Sequence, residues 1–173
     1  MRTINYIVVH CSATHEDRPF TVEALRAAHL SRGFSDIGYH YYIRRDGTVV
    51  KTRALALVGA HVKGYNKYSI GICYEGGLDA QGCPKDTRTP EQRAALRLLV
   101  HQLLRRFHGE VRVCGHRDLS PDRNGDGVVE REEWVKAVEN AKERAQNDQQ
   151  VQFVYPDQQP FVEACRPLHE TVI

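Results

Sequence analysis

Residues 6–16 read YIVVHCSATHE, and the first four of them decide how the chain is organised. Tyr6-Ile7-Val8-Val9 is a short, continuously apolar and mostly β-branched run. That is the pattern of a strand covered on both faces, as in a sheet sandwiched between helices. His10 follows at its end. A matching arrangement returns a hundred residues later, where Val111-Arg112-Val113-Cys114 reads as a strand and runs straight into Gly115-His116.

Working outward, residues 21–32 read as a helix. Thr21 is its N-cap, Val22, Leu25 and Ala28 share one face, and Gly33 is the stop. Two β-rich runs, 39–45 and 48–52, flank Asp46-Gly47 and predict a hairpin. Residues 69–74, SIGICY, predict another buried strand, closed by Gly76-Gly77. The clearest helix is 89–108. Thr89 caps it, Pro90 takes its first turn, and Gln92 completes a capping box. Leu96, Leu99, Val100, Leu103, Leu104 and Phe107 then fall on one face, and Gly109 ends it. Strands interleaved with two helices predict an α/β layered domain.

Composition bounds the function. With 173 residues and 41% hydrophobic residues, the chain has enough apolar material for one packed domain. A net charge of +2 without a Lys/Arg stripe argues against a nucleic-acid partner. Five cysteines (Cys11, Cys73, Cys83, Cys114, Cys165) form no CxxC pair, which suggests free thiols and a reducing compartment at synthesis. No apolar run approaches the ~20 residues needed to span a bilayer, and residues 1–17 carry no cleavage site. The expectation is a protein that is cytoplasmic at synthesis, without a signal peptide and without membrane insertion. From about residue 141 the composition turns polar and Gln-rich. This divides the chain into a domain at 1–146 and a loosely attached tail at 147–173.

His10 and His116 both project from strand ends, where open α/β sheets bind ligands. Neutral imidazole is a good zinc ligand, and a catalytic zinc takes three protein ligands. Two histidines 106 residues apart are equally explained as hydrogen-bonded termini. His40 and His61 fall in the central strand region and are candidates for lining a cleft, with core packing as the alternative. His29 and His101, on the predicted helices, read as surface or boundary residues. His108 ends a helix, and His15 and His169 lie in a loop and the tail.

Four ordered motifs carry a resemblance. They are His10-Cys11-Ser12-Ala13-Thr14; Gly38-Tyr39-His40-Tyr41-Tyr42-Ile43 with Arg45-Asp46-Gly47-Thr48; Gly59-Ala60-His61-Val62-Lys63-Gly64-Tyr65-Asn66 with Ser69-Ile70-Gly71; and Gly115-His116-Arg117-Asp118. Over residues 4–137 the chain resembles the N-acetylmuramoyl-L-alanine amidases of small phages, whose wider family includes the peptidoglycan recognition proteins. The resemblance implies a single α/β domain with a central mixed β-sheet flanked by helices. It implies a zinc-dependent hydrolase that cuts peptidoglycan between N-acetylmuramic acid and the L-alanine of the stem peptide. His10 and His116 correspond to two zinc ligands, and Tyr39 and Lys136 to the catalytic helpers. Zinc makes water more acidic and polarises a carbonyl; Lys136 would steady an oxyanion and Tyr39 would orient water. His40 and His61 become candidate substrate-binding residues. A wall hydrolase made inside the cell further implies a membrane-permeabilising partner for release.

The resemblance breaks at one position. The family reads Lys-Ala-Cys-Pro where this chain reads Lys136-Ala137-Val138-Glu139, so the third ligand is missing where it belongs. Three explanations stand: Cys165 folds back as the thiolate, another side chain or water completes a two-histidine site, or the protein binds peptidoglycan without cutting it. Between His116 and Lys136, residues 122–133 also match an EF-hand loop. Asp122, Asn124, Asp126, Val128 and Glu133 are its calcium ligands, Gly127 is at the turn and Glu130 at the ninth position. A Gly/Asp/Asn turn without an ion is the alternative.

Overall fold

The computed structural model describes residues 2–107 and 110–120. Seven strands and two helices make up its frame: β1 (Tyr6–Cys11), β2 (Thr14–His15), α1 (Val22–Leu30), β3 (Tyr41–Ile43), β4 (Val49–Lys51), β5 (Ser69–Tyr74), β6 (Gly77–Leu78), α2 (Pro90–Arg106) and β7 (Arg112–Gly115). Five strands form one sheet in the order β4-β3-β5-β1-β7. β1 runs parallel to both β5 and β7, β3 runs parallel to β5, and β4 closes the edge antiparallel to β3. The sheet is mixed, as expected.

Alternation along β1 assigns its two faces. Ile7 and Val9 face α2, packing with Ile43, Ile70, Ile72, Leu96, Leu99 and Leu103. Val8 faces the other way, against Val62 and Cys114, and His10 follows it on that side. Leu25 of α1 covers the same side further along, with Ile37, Tyr42 and Cys73. Burying such side chains contributes about 1.5–3 kcal/mol each. The strand is apolar throughout because a helix or loop covers both faces.

The helix ends follow the sequence. Thr21 Oγ1 accepts the Ala24 N–H at 3.2 Å, and Thr89 with Gln92 forms the complete capping box. The hairpin forms at Asp46-Gly47, where Asp46 Oδ1 accepts the Thr48 N–H at 2.8 Å. β5 ends at Tyr74, as expected; Gly76-Gly77, with φ of 119° and 111°, then turns the chain into β6, which pairs in parallel with β2 as a second small sheet. Only residues without a Cβ adopt such angles at little cost.

Cys73 and Cys83 are free thiols. Among the described residues no helix is long and apolar enough to cross a membrane. Lys136, Val138, Cys165, the 122–133 loop and the boundary near 146 lie outside the described residues.

Candidate active site

At the carboxyl ends of β1 and β7 the sheet opens into a groove of about 690 Å³, lined among others by His10, Ser12, His29, Arg32, Tyr39, His61 and His116. Its histidines meet because β1 and β7 are neighbours in register, with Val9 opposite Gly115. The His116 N–H continues the ladder onto the Val9 carbonyl at 3.3 Å. One residue beyond each of these partners, His10 and His116 project on the same face. Their Nδ1 atoms stand 3.2 Å apart, with ring centroids at 4.9 Å.

That separation fits a shared cation. Two imidazole nitrogens bound to a tetrahedral zinc at 2.0–2.1 Å lie about 3.3 Å from each other. The protonation states fit as well. Burial, then the neighbouring His116 and His61, holds His10 well below the ordinary imidazole pKa, and burial lowers His116 too. Neutral rings are what a metal requires. No cluster of three or more candidate ligands occurs among the described residues.

Around this pair, each further residue has a definite place. Tyr39 lines the groove with its ring 5.0 Å from that of His10 and 5.3 Å from that of His29. His61 Nδ1 lies 3.0 Å from His10 Nε2, and His61 Nε2 lies 3.2 Å from Ser69 Oγ. Burial, reinforced by His40, His116, Arg2 and Arg53, lowers its pKa to about 3. Asn66 Oδ1 accepts the backbone N–H groups of His61 and Val62 at 2.8 and 2.9 Å, so the Gly-Tyr-Asn end of the motif folds the loop that presents His61.

Of the two places expected for His40, a cleft wall or the packed core, the structure shows the second: it is 0% exposed and is not among the residues lining the groove. Its Nδ1 accepts the Gly71 N–H at 3.0 Å and its Nε2 donates to the Leu57 carbonyl at 3.1 Å. Burial, aided by Arg2 and Arg53 and opposed by the Leu57 carbonyl, brings its pKa to about 4. Nε2 also lies 3.1 Å from Arg2 Nη2, and through the Gly71 and Leu57 bonds His40 ties the loop to β5.

His29 is the residue the sequence undervalued. Expected at the surface or boundary of α1, it is 2% exposed and walls the groove. Its Nδ1 accepts the Gly38 N–H at 2.9 Å, so the proton sits on Nε2. Burial, with Arg32 and Arg53 adding to it, lowers its pKa to about 4. Its i, i+4 spacing from Leu25 was the available signal.

Comparisons with known proteins place the chain in a family. A family model for N-acetylmuramoyl-L-alanine amidase matches residues 1–127. The chain is 42% identical over 131 residues to an endolysin of Enterobacteria phage K11, covering 76% of this chain and 85% of the endolysin. It is 30% identical over 125 residues to peptidoglycan-recognition protein SC1a/b of Drosophila simulans, covering 68% and 65%. Among solved structures, N-acetylmuramoyl-L-alanine amidase LysC from Clostridium intestinale superposes with a TM-score of 0.59 at 30% identity, over 80% of this chain and 87% of that one. The chain therefore belongs to the N-acetylmuramoyl-L-alanine amidase family and is an amidase hydrolase directed at peptidoglycan.

Proposed function

We propose that the groove cleaves the amide joining N-acetylmuramic acid to the L-alanine of the stem peptide, with zinc held by His10 Nδ1 and His116 Nδ1. The facing of those two nitrogens at 3.2 Å carries the reading. Zinc supplies Lewis acidity toward a carbonyl oxygen and makes water a stronger acid, with a pKa of roughly 7. The chain's own residues do the rest. Tyr39, against His10, orients the attacking water or passes a proton. Lys136 donates to the oxyanion of the tetrahedral intermediate. His61 and His29 wall the groove beside the reacting bond. Cys165 is the candidate third ligand, and a two-histidine site completed by another donor is the alternative.

Around that site, residues 122–133 hold calcium as a structural brace between His116 and Lys136, through Asp122, Asn124, Asp126, Val128 and Glu133. The likeness to a phage endolysin supports action on the wall after release from the cell, with a membrane-permeabilising partner opening the way.

Val138 favours a second reading, peptidoglycan binding without cleavage, and the likeness to a peptidoglycan-recognition protein supports it. Purified cell walls separate the two. An amidase lowers their turbidity and exposes new L-alanine amino groups without new reducing sugar ends. Binding to the pelleted wall with neither product leaves only the second reading.

A further inference from the structure

His10 uses both of its ring nitrogens, and they have opposite requirements. Its Nδ1 faces His116 Nδ1 across 3.2 Å. For the two to share a cation, both Nδ1 atoms must be lone pairs, because a neutral imidazole carries one proton and a metal takes the bare nitrogen. The proton of His10 therefore belongs on Nε2, which lies 3.0 Å from His61 Nδ1.

That fixes the direction of everything behind it. His61 Nδ1 must accept, so the His61 proton sits on Nε2, 3.2 Å from Ser69 Oγ. The hydroxyl of Ser69 can accept it, since a serine oxygen offers two lone pairs. Run backwards, the chain fails. If Ser69 donated to His61 and His61 to His10, the His10 proton would be forced onto Nδ1, pointing at His116.

The ring of His61 is also clamped. A Cβ on Gly71 would stand 2.6 Å from His61 Cγ and Cδ2, and one on Gly59 would stand 2.6 Å from His61 Cδ2. Both glycines let backbone close directly onto the imidazole. Ser69 is 0% exposed and His61 9%, so water competes little for these bonds.

We propose that His61, backed by Ser69, is the positioning residue that holds His10 in the Nε2–H tautomer and thereby makes its Nδ1 a metal ligand. This rests on the zinc reading above. It also assigns His61 a task different from contacting substrate, because both of its ring nitrogens are already engaged.

The experiment uses the full chain as wild type, His61→Phe, His61→Asn and Ser69→Ala. Zinc affinity is measured by competition with a chromogenic chelator, and the His10 tautomer by long-range proton–nitrogen NMR of the metal-free protein. Removal of an outer partner of a metal-bound histidine lowers affinity about 10–100-fold. His61→Phe is expected to show that loss together with a population of His10 protonated at Nδ1. Ser69→Ala, which only deletes a hydroxyl, loses several-fold and serves where His61→Phe does not fold. His61→Asn, whose amide oxygen replaces the acceptor, recovers most of the affinity. A wild type that takes up no zinc overturns the zinc reading and this proposal with it. A zinc-binding wild type beside folded His61→Phe or Ser69→Ala variants of equal affinity and unchanged tautomer overturns this proposal alone.

Discussion

His10 and His116 bring their Nδ1 atoms to 3.2 Å although 106 residues separate them in the chain. Hydrogen bonding between β1 and β7 closes that gap. Neither ring gains anything from the other unless a proton or a cation lies between them, and at neutral pH both are uncharged bases.

Substituting either ring should therefore empty the site. His10→Ala and His116→Ala are each expected to reduce zinc in the purified protein from stoichiometric to background, measured by mass spectrometry of the metal. Val138→Cys should raise zinc affinity by restoring a thiolate. If a variant keeps its full complement of zinc, the histidine it replaced is not a ligand.

A methyl group at Gly71 should disturb the site from behind. Its Cβ would press on the His61 ring at 2.6 Å, displacing the ring that contacts His10. Overpacking of this kind costs about 1–3 kcal/mol. Gly71→Ala is expected to lower the chemical-denaturation midpoint and zinc affinity together. An alanine accepted with both quantities unchanged would mean that the loop carrying His61 yields freely.

Acid should unfold the metal-free protein before its carboxylates titrate. His29 and His40 have pKa values of about 4 in the folded state against an ordinary 6.5. Between those values the unfolded chain binds protons that the folded chain refuses, so stability is full above 6.5 and falls as the pH drops toward 4. Each ring contributes up to about 1.4 kcal/mol per pH unit in that window. Unfolding free energies measured by urea titration in the presence of a chelator should show this slope. A flat profile from pH 6.5 to 4.5 would contradict the burial of these two rings.

Gln92 should matter as much as any apolar residue of α2. It is 0% exposed, its Oε1 accepts the Thr89 N–H at 3.1 Å, and its Nε2 donates to the Ile43 and Glu75 carbonyls at 3.2 and 2.9 Å. It thus joins the helix start to the ends of β3 and β5. Gln92→Leu is expected to cost about 1–3 kcal/mol, because buried carbonyls lose a donor. A thermal melt unchanged to within a degree would show that water replaces it.

Much of the frame was legible locally. The run at 6–9, the caps Thr21 and Thr89, and the Asp46-Gly47 turn each act through neighbours a few residues away, and all appear where the pattern puts them. The short pairing of β2 with β6 was not legible. Two residues have no periodicity, and Gly76-Gly77 signals a stop as readily as a kink. His40 and His61 looked alike in sequence for a similar reason. Both are histidines near strands, and only the positions of Gly71 and Leu57 divert one to backbone, while Asn66 and Ser69 present the other beside His10.

What the sequence determined by itself was the inventory: which segments become the two helices and the five strands of the main sheet, that His10 and His116 end two of those strands, and that Val138 stands where the family's third ligand belongs. Those are properties of adjacent residues, expressed through backbone geometry and hydrophobic periodicity. Tertiary structure alone decided that β7 lies beside β1, which nitrogen of His10 faces His116, and that His61 stands behind it. Strand order and side-chain convergence come from burying both faces of one sheet at once, and that requirement is met only when distant parts of the chain pack together.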